Sequence, residues 1–316
     1  MVSEIGLGCW QLGGDWGTVD DSTAQKVLET AVENGVTFFD TADVYGRGRS
    51  EELIYKYLKP RAPKAFVATK LGRFPEPGGL ENFSLNSFRR FTENSLRRLK
   101  VDALDLTQLH CVPTELMERG EIFDWLRQLK REGKIQAFGA SVESVKEAQI
   151  CLAQEGLTSL QIIFNLYRQK PIAELFEQAK AKGVALIVRL PLASGLLGGK
   201  LHRGSSFPEN DHRAFNSDGQ CFNVGETFAG VPFQTGVALV DELKTLVPGG
   251  MSLARMALRW ILDFDAVTVV IPGSKTPAQI VENVASASLP RLTKELHEQL
   301  THFYTEKVAL HIRGKY

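Results

Sequence analysis

Short apolar runs rich in β-branched residues alternate with longer segments of helical period, and this alternation restricts the fold more than any other feature of the chain. The runs are Ile5 to Gly8, Thr37 to Asp40, Ala65 to Lys70, Ala103 to His110, Ile135 to Ser141, Ser159 to Asn165, Ala185 to Leu190 and Val267 to Ile271. Eight parallel strands is the number that closes a barrel. Between them lie helical faces such as Leu53, Ile54, Tyr57 and Leu58, or Ile122, Leu126 and Leu129. Ser50, Ser84 and Thr276, the last followed by Pro277, mark expected helix starts. A doubly wound open sheet shares the alternation, but no GxGxxG follows the first run and unusual polar residues end many strands. The prediction is an α/β protein, a single (β/α)8 TIM barrel domain over residues 1–316. A long aperiodic loop follows the seventh strand from Gly195 to Gly236, and its Phe207, Phe215, Phe222 and Phe228 predict a packed lid. An extra helix is expected over Thr293 to Lys307, with Leu296, Leu300 and Phe303 on one side.

Composition narrows the function classes. Hydrophobic residues are 43% and charged residues 23% of the 316, enough apolar material for a large core. Lys plus Arg equals Asp plus Glu at 37 each, so no overall field favours nucleic acid or an anionic membrane. Cys9, Cys111, Cys151 and Cys221 are widely separated without CxxC spacing, which predicts reduced thiols and a cytoplasmic setting. No apolar run reaches the ~20 residues of a membrane helix.

The chemistry of a parallel barrel lies at the carboxyl ends of its strands. Asp40 ends the second run, with Tyr45 five residues on; Lys70 ends the third and His110 the fourth. Singly, each has a plain structural reading: an acidic turn, a packed ring, a solvated ammonium, a hydrogen-bonded imidazole. Together they converge on one mouth with complementary proton chemistry. A tyrosine hydroxyl, with an unperturbed pKa near ~10, exchanges protons more readily beside an ammonium, and a carboxylate keeps that ammonium charged. As zinc ligands they form a poor set, so no metal is expected. The GxSxG of a hydrolase is missing.

Several motifs in common register carry a resemblance: Gly8-Cys9-Trp10-Gln11, Asp40-Thr41-Ala42 leading to Tyr45-Gly46, Thr69-Lys70, Gln108-Leu109-His110, Phe138-Gly139-Ala140-Ser141, Pro191-Leu192-Ala193-Ser194-Gly195-Leu196-Leu197, and Ile271-Pro272-Gly273-Ser274-Lys275 with Gln279, Glu282 and Asn283. In order and spacing the chain resembles the aldo-keto reductases over nearly its whole length. The resemblance implies NADP(H)-dependent reduction of an aldehyde or ketone to an alcohol. It makes Tyr45 the general acid, Lys70 the residue that lowers its pKa, Asp40 the partner of Lys70, and His110 the residue that orients a small-molecule carbonyl substrate. Cofactor positions implied are Gly8, Cys9, Trp10, Asp40, Ser141, Gln161, Arg189, Pro191, Leu192, Ser194, Leu196, Lys200 and the segment Ile271, Pro272, Gly273, Ser274, Lys275, with Gln279, Glu282 and Asn283. Ser141 and Gln161 would hold the nicotinamide carboxamide. Lys275, before a helix N-terminus, would meet the 2′-phosphate that distinguishes NADPH from NADH. Trp10, Trp16, Tyr45, Phe74 and His110 are the expected substrate pocket.

Three features depart from the family pattern. Val142 stands where asparagine is common. Arg189 takes the place of an aromatic residue that stacks on the nicotinamide; a guanidinium plane can stack there, or it can turn to a nearby carboxylate. The first strand begins almost at once, without the hairpin that closes the barrel bottom. A different class remains open beside the enzyme: a nucleotide-sensing binding subunit resembling the potassium-channel β-subunits.

Overall fold

The structure is a computed structural model and describes residues 2–14 and 16–316. Eight parallel strands follow one another in spatial order: β1 (Leu7–Gly8), β2 (Phe38–Asp40), β3 (Phe66–Leu71), β4 (Leu106–His110), β5 (Phe138–Ser141), β6 (Leu157–Ile163), β7 (Ala185–Arg189) and β8 (Val267–Val270). Isolated parallel bridges Ile5↔Val270 and Gly8↔Gly273 join the first strand to the eighth, so the sheet closes on itself. Each of the eight runs read from sequence overlaps a strand, with ends shifted by up to a few residues.

Alternation along the strands divides the side chains between barrel interior and helix layer. The interior begins with an apolar group, Phe38, Ala68, Leu106, Ile187, Val269 and Ile271, against which Val2, Phe66 and Ala137 pack. Phe38 and Phe66 stack with centroids 5.5 Å apart. Two residues further along the same inward faces the side chains turn polar: Asp40 above Phe38, Lys70 above Ala68, Gln108 and then His110 above Leu106, Arg189 above Ile187. A much larger cluster, including Phe39, Val67, Leu109, Leu160 and Val188, lies between strands and helices.

Helix Leu85–Leu99 starts at Ser84, whose hydroxyl accepts from Ser87 N, and helix Pro277–Ala285 starts at Thr276 in a full capping box with Gln279. Ser50 corrects the third expectation. The helix there spans Arg49–Leu53 and Gly48 is its N-cap, so Ser50 lies inside it and donates instead to the Cys9 carbonyl at 3.0 Å. The segment after β7 is no floppy insertion. It contains short helical turns at Ala193–Gly198, His212–Phe215, Val224–Glu226 and Phe228–Gly230, and the next helix begins at Phe233, three residues before the expected end of the loop. Phe228 is buried and packs on Phe207 and Phe233 at 5.8 and 5.0 Å, while Phe215 meets Phe222 at 6.2 Å. The extra helix is Lys294–Phe303, with Leu296, Leu300 and Phe303 buried as its period predicts. No helix among the described residues is long and apolar enough to cross a membrane.

Candidate active site

Asp40 is the last residue of β2 and Lys70 the fifth of β3, and parallel pairing sets the two polar side chains side by side inside the barrel. The Lys70 ammonium donates to Asp40 at 2.5 Å, to the Thr41 carbonyl at 2.8 Å and to the Tyr45 hydroxyl at 3.3 Å. Burial alone would discharge Lys70, but Asp40 first and Tyr45 next raise its pKa above the ordinary ammonium value. The second Asp40 oxygen accepts from Gln161 of β6, across the barrel, at 2.7 Å and from Gln108 of β4 at 3.3 Å.

Tyr45 sits on the turn after β2. Its ring is stacked by Trp10 at 5.9 Å and met edge-on by His110 at 5.8 Å. That stacking depends on a close backbone approach: a Cβ on Gly13 would fall 2.7 Å from Gly46 N, so only glycine lets the Trp10–Gly13 turn lie against the Tyr45 turn. The expected lowering of the Tyr45 pKa is not the net outcome. Burial outweighs the pull of Lys70 and pushes the phenol up to about 12. His110 is driven well below its usual value by burial, with Arg73, Lys70 and Arg189 adding to the effect, so it is neutral. Its Nδ1 is buried without a hydrogen-bond partner.

These residues open into a cleft of about 1090 Å³ that runs to the N-terminus of helix Pro277–Ala285. Trp10, Trp16, Asp40, Tyr45, His110, Ser141, Gln161 and Arg189 line one part of it; Gly8, Pro191, Leu192, Ser194, Lys200, Ile271, Pro272, Gly273, Lys275, Gln279, Glu282 and Asn283 line the rest. Lys275 lies at the far end, bonded to the Trp16 carbonyl and 4.0 Å from Asp211 of the lid. Gln279 accepts from Lys275 N at 2.7 Å, so the residue caps its helix and faces the cleft at once.

Four expected contacts are not on the cleft wall. Cys9 is wholly buried behind it, its thiol directed at the Leu7 carbonyl and its pKa raised by burial. Leu196 is core; a Cβ on Gly236 would meet its methyl at 2.6 Å. Ser274 is buried and accepts from Asn283 at 3.1 Å. Phe74 turns away to pack on Phe91 at 6.0 Å. Lys70 also stays behind the wall, within hydrogen-bond distance of the Tyr45 hydroxyl.

Arg189 lines the cleft while pairing with a carboxylate, Glu226, at 3.5 Å, and donates to the Val142 carbonyl at 3.2 Å. The residue at the family's asparagine position therefore contributes backbone rather than side chain. Glu226 comes from the lid and also holds Arg73, at 2.9 and 3.3 Å; Arg73 reaches Glu143 at 3.1 Å. Sequence reading passed over Arg73, Glu226 and Arg213 and took Phe222 only as part of the packed lid; all four are on the cleft wall. Glu226 lies 153 positions from Arg73 inside an aperiodic segment, so no spacing could have joined them. Cys111, Glu143 and Glu226 bring three donor atoms within 4.8 Å, but two guanidiniums already neutralise that cluster.

A closed parallel barrel whose C-terminal mouth sets a carboxylate-anchored lysine behind a tyrosine, beside a cleft ending at a capped helix, defines a class: (β/α)8 barrels with a buried Asp–Lys–Tyr cluster at the mouth of a long cleft. The Aldo/keto reductase family profile matches residues 4–305. "Aldo-keto reductase YhdN" of Bacillus subtilis is 30% identical over 88% of this chain and 83% of its own length. "Aldo-keto reductase yakc [NADP(+)]" of Schizosaccharomyces pombe is 28% identical over 89% of this chain and 83% of its own. The solved glycerol dehydrogenase AKR11B4 from Gluconobacter oxydans superposes with a TM-score of 0.78 at 28% identity, covering 100% of this chain and 95% of that one. The chain belongs to the aldo-keto reductase family of oxidoreductases.

Proposed function

We propose that this protein reduces an aldehyde or ketone to an alcohol with NADPH, and that Tyr45 delivers the proton. The observation that carries the reading is the Asp40–Lys70–Tyr45 chain of contacts at 2.5 and 3.3 Å, opening on a cleft that ends at Lys275. The cleft fits a dinucleotide: Ser141 and Gln161 offer amide-binding groups at one end, and a helix N-terminus with an adjacent ammonium offers a phosphate site at the other. The NADP(+) in the name of the fission-yeast relative supports the same choice of cofactor. NADPH, when bound, supplies the hydride.

The chain's own residues account for the rest. His110, neutral and on the cleft wall with its ring edge-on to Tyr45, orients the carbonyl oxygen towards the Tyr45 hydroxyl. Tyr45 is protonated at neutral pH, so it is competent to donate as charge builds on that oxygen. Lys70, kept charged by Asp40, stabilises the phenolate left behind. The Trp10 and Phe222 rings, 6.1 Å apart, give the mouth an apolar rim beside Tyr45. The reading is tested by following NADPH oxidation over a panel of aldehydes and ketones. Carbonyl-dependent oxidation is expected; tight NADPH binding without turnover of any carbonyl would instead favour a nucleotide-sensing subunit.

A further inference from the structure

The barrel mouth contains two arginines from opposite sides. Arg73 lies two residues past β3 and Arg189 ends β7, strands four steps apart in a ring of eight. Both line the cleft with Tyr45 and His110. Alone, two guanidiniums beside a proton donor would form a pocket for a carboxylate or phosphate. Glu226 comes down between them from the lid. Its carboxylate contacts Arg73 at 2.9 and 3.3 Å and Arg189 at 3.5 Å. The side chain is only 5% exposed and its position is set by backbone: Glu226 N donates to the Asn223 carbonyl at 2.9 Å, and the Ser194 hydroxyl donates to the Glu226 carbonyl at 3.3 Å.

The remaining charges are paired as well, and Lys315 has Glu147 at 2.9 Å as its nearer partner. Glu143 takes a second bond from Arg73 at 3.1 Å and meets Lys315 on its outer side at 3.5 Å. Lys70 is committed to Asp40, and His110 is neutral. An anion entering beside Tyr45 therefore finds both guanidiniums occupied, and to reach either it must displace the largely buried Glu226 carboxylate from one of its partners. An uncharged carbonyl compound meets no such obstacle.

We propose that Glu226 is the specificity-determining residue of the substrate subsite, cancelling Arg73 and Arg189 so that the protein accepts uncharged carbonyl compounds and rejects anionic ones. The proposal rests on the reductase reading for its kinetic consequence, but the charge balance itself can be read without turnover.

The test compares kcat/KM for benzaldehyde and 4-carboxybenzaldehyde with NADPH, using the full chain. Wild type should favour the neutral probe. Glu226→Gln keeps the shape of the side chain and removes its charge, so the ratio of anionic to neutral kcat/KM should rise about ten-fold or more. Arg73→Gln added to it should return the ratio towards wild type. Benzoate binding, read by quenching of tryptophan fluorescence, reports the same change without catalysis: Glu226→Gln should gain about ten-fold in affinity. That gain in a protein that turns over no carbonyl would leave the charge assignment standing and remove the reductase reading. An unchanged ratio, including an equal fall for both probes, or no gain in benzoate affinity, would overturn the proposal.

Discussion

Asp43 shows how much an interior position can change a side chain's behaviour. It is 1% exposed, beside buried Glu51, and takes part in no ion pair among the described residues. Burial first and the Glu51 charge second push its carboxyl up to about 8. The folded state thus keeps a proton that the unfolded chain releases above its ordinary value of 3.8, so stability is lost as pH rises from there towards 8. Asp43→Asn should be more stable than wild type by about 1 kcal/mol or more at the upper end of that window, with a smaller difference at its lower end. Urea unfolding midpoints at the two pH values measure this, and equal midpoints for both proteins would contradict it. Tyr45 makes the complementary case. Because its phenol stays protonated until about 12, the rate of carbonyl reduction should be level between about pH 6 and pH 9, and alcohol oxidation, which needs the phenolate, should rise with pH across that range. His110 adds no bend near its usual value, being already neutral there. A reduction rate that falls steeply below pH 9 would contradict the protonation state assigned to Tyr45.

At the scale of elements, strand ends were the readable part of the site. Asp40, Lys70 and His110 each end an apolar run, and a parallel barrel turns such residues towards one mouth. A shared motif says less about which of its neighbours face a ligand. Cys9 lies between Gly8 and Trp10, and Ser274 between Gly273 and Lys275, yet the flanking residues line the cleft while the middle ones turn into the protein. Only the three-dimensional path of the backbone decides this. The lid is harder still, because its short turns have no period and its contacts cross long stretches of chain. The start of helix Pro277–Ala285 was legible, from Thr276 and Pro277 at its first turn to the lysine in front of it. Its prediction belongs to the helix terminus. Lys275→Ala should weaken NADPH far more than NADH and remove a preference of about ten-fold or more, since only NADPH presents a 2′-phosphate there. Fluorescence titrations with the two nucleotides measure the change; equal losses would move the phosphate site elsewhere.

Across the whole molecule, one periodicity accounts for both the stability of the barrel and its chemistry. The inward faces of β2, β3 and β4 place Phe38, Ala68 and Leu106 in the apolar group, and two residues later the same faces deliver Asp40, Lys70 and Gln108. A one-residue slip in any of these strands would turn the polar residue into the helix layer and its apolar neighbour into the mouth, so the fold and the candidate site depend on the same register. The lid then joins opposite sides of the ring through Glu226, which the linear order of the chain conceals. The central claim is that Tyr45 is the proton donor in NADPH-dependent carbonyl reduction. It is tested most directly by comparing Tyr45→Phe with wild type in two assays, NADPH binding by fluorescence and kcat for a carbonyl substrate. The account predicts nearly unchanged NADPH affinity with kcat reduced by about 10² to 10⁴; a variant that binds NADPH normally and retains half the wild-type kcat would contradict it.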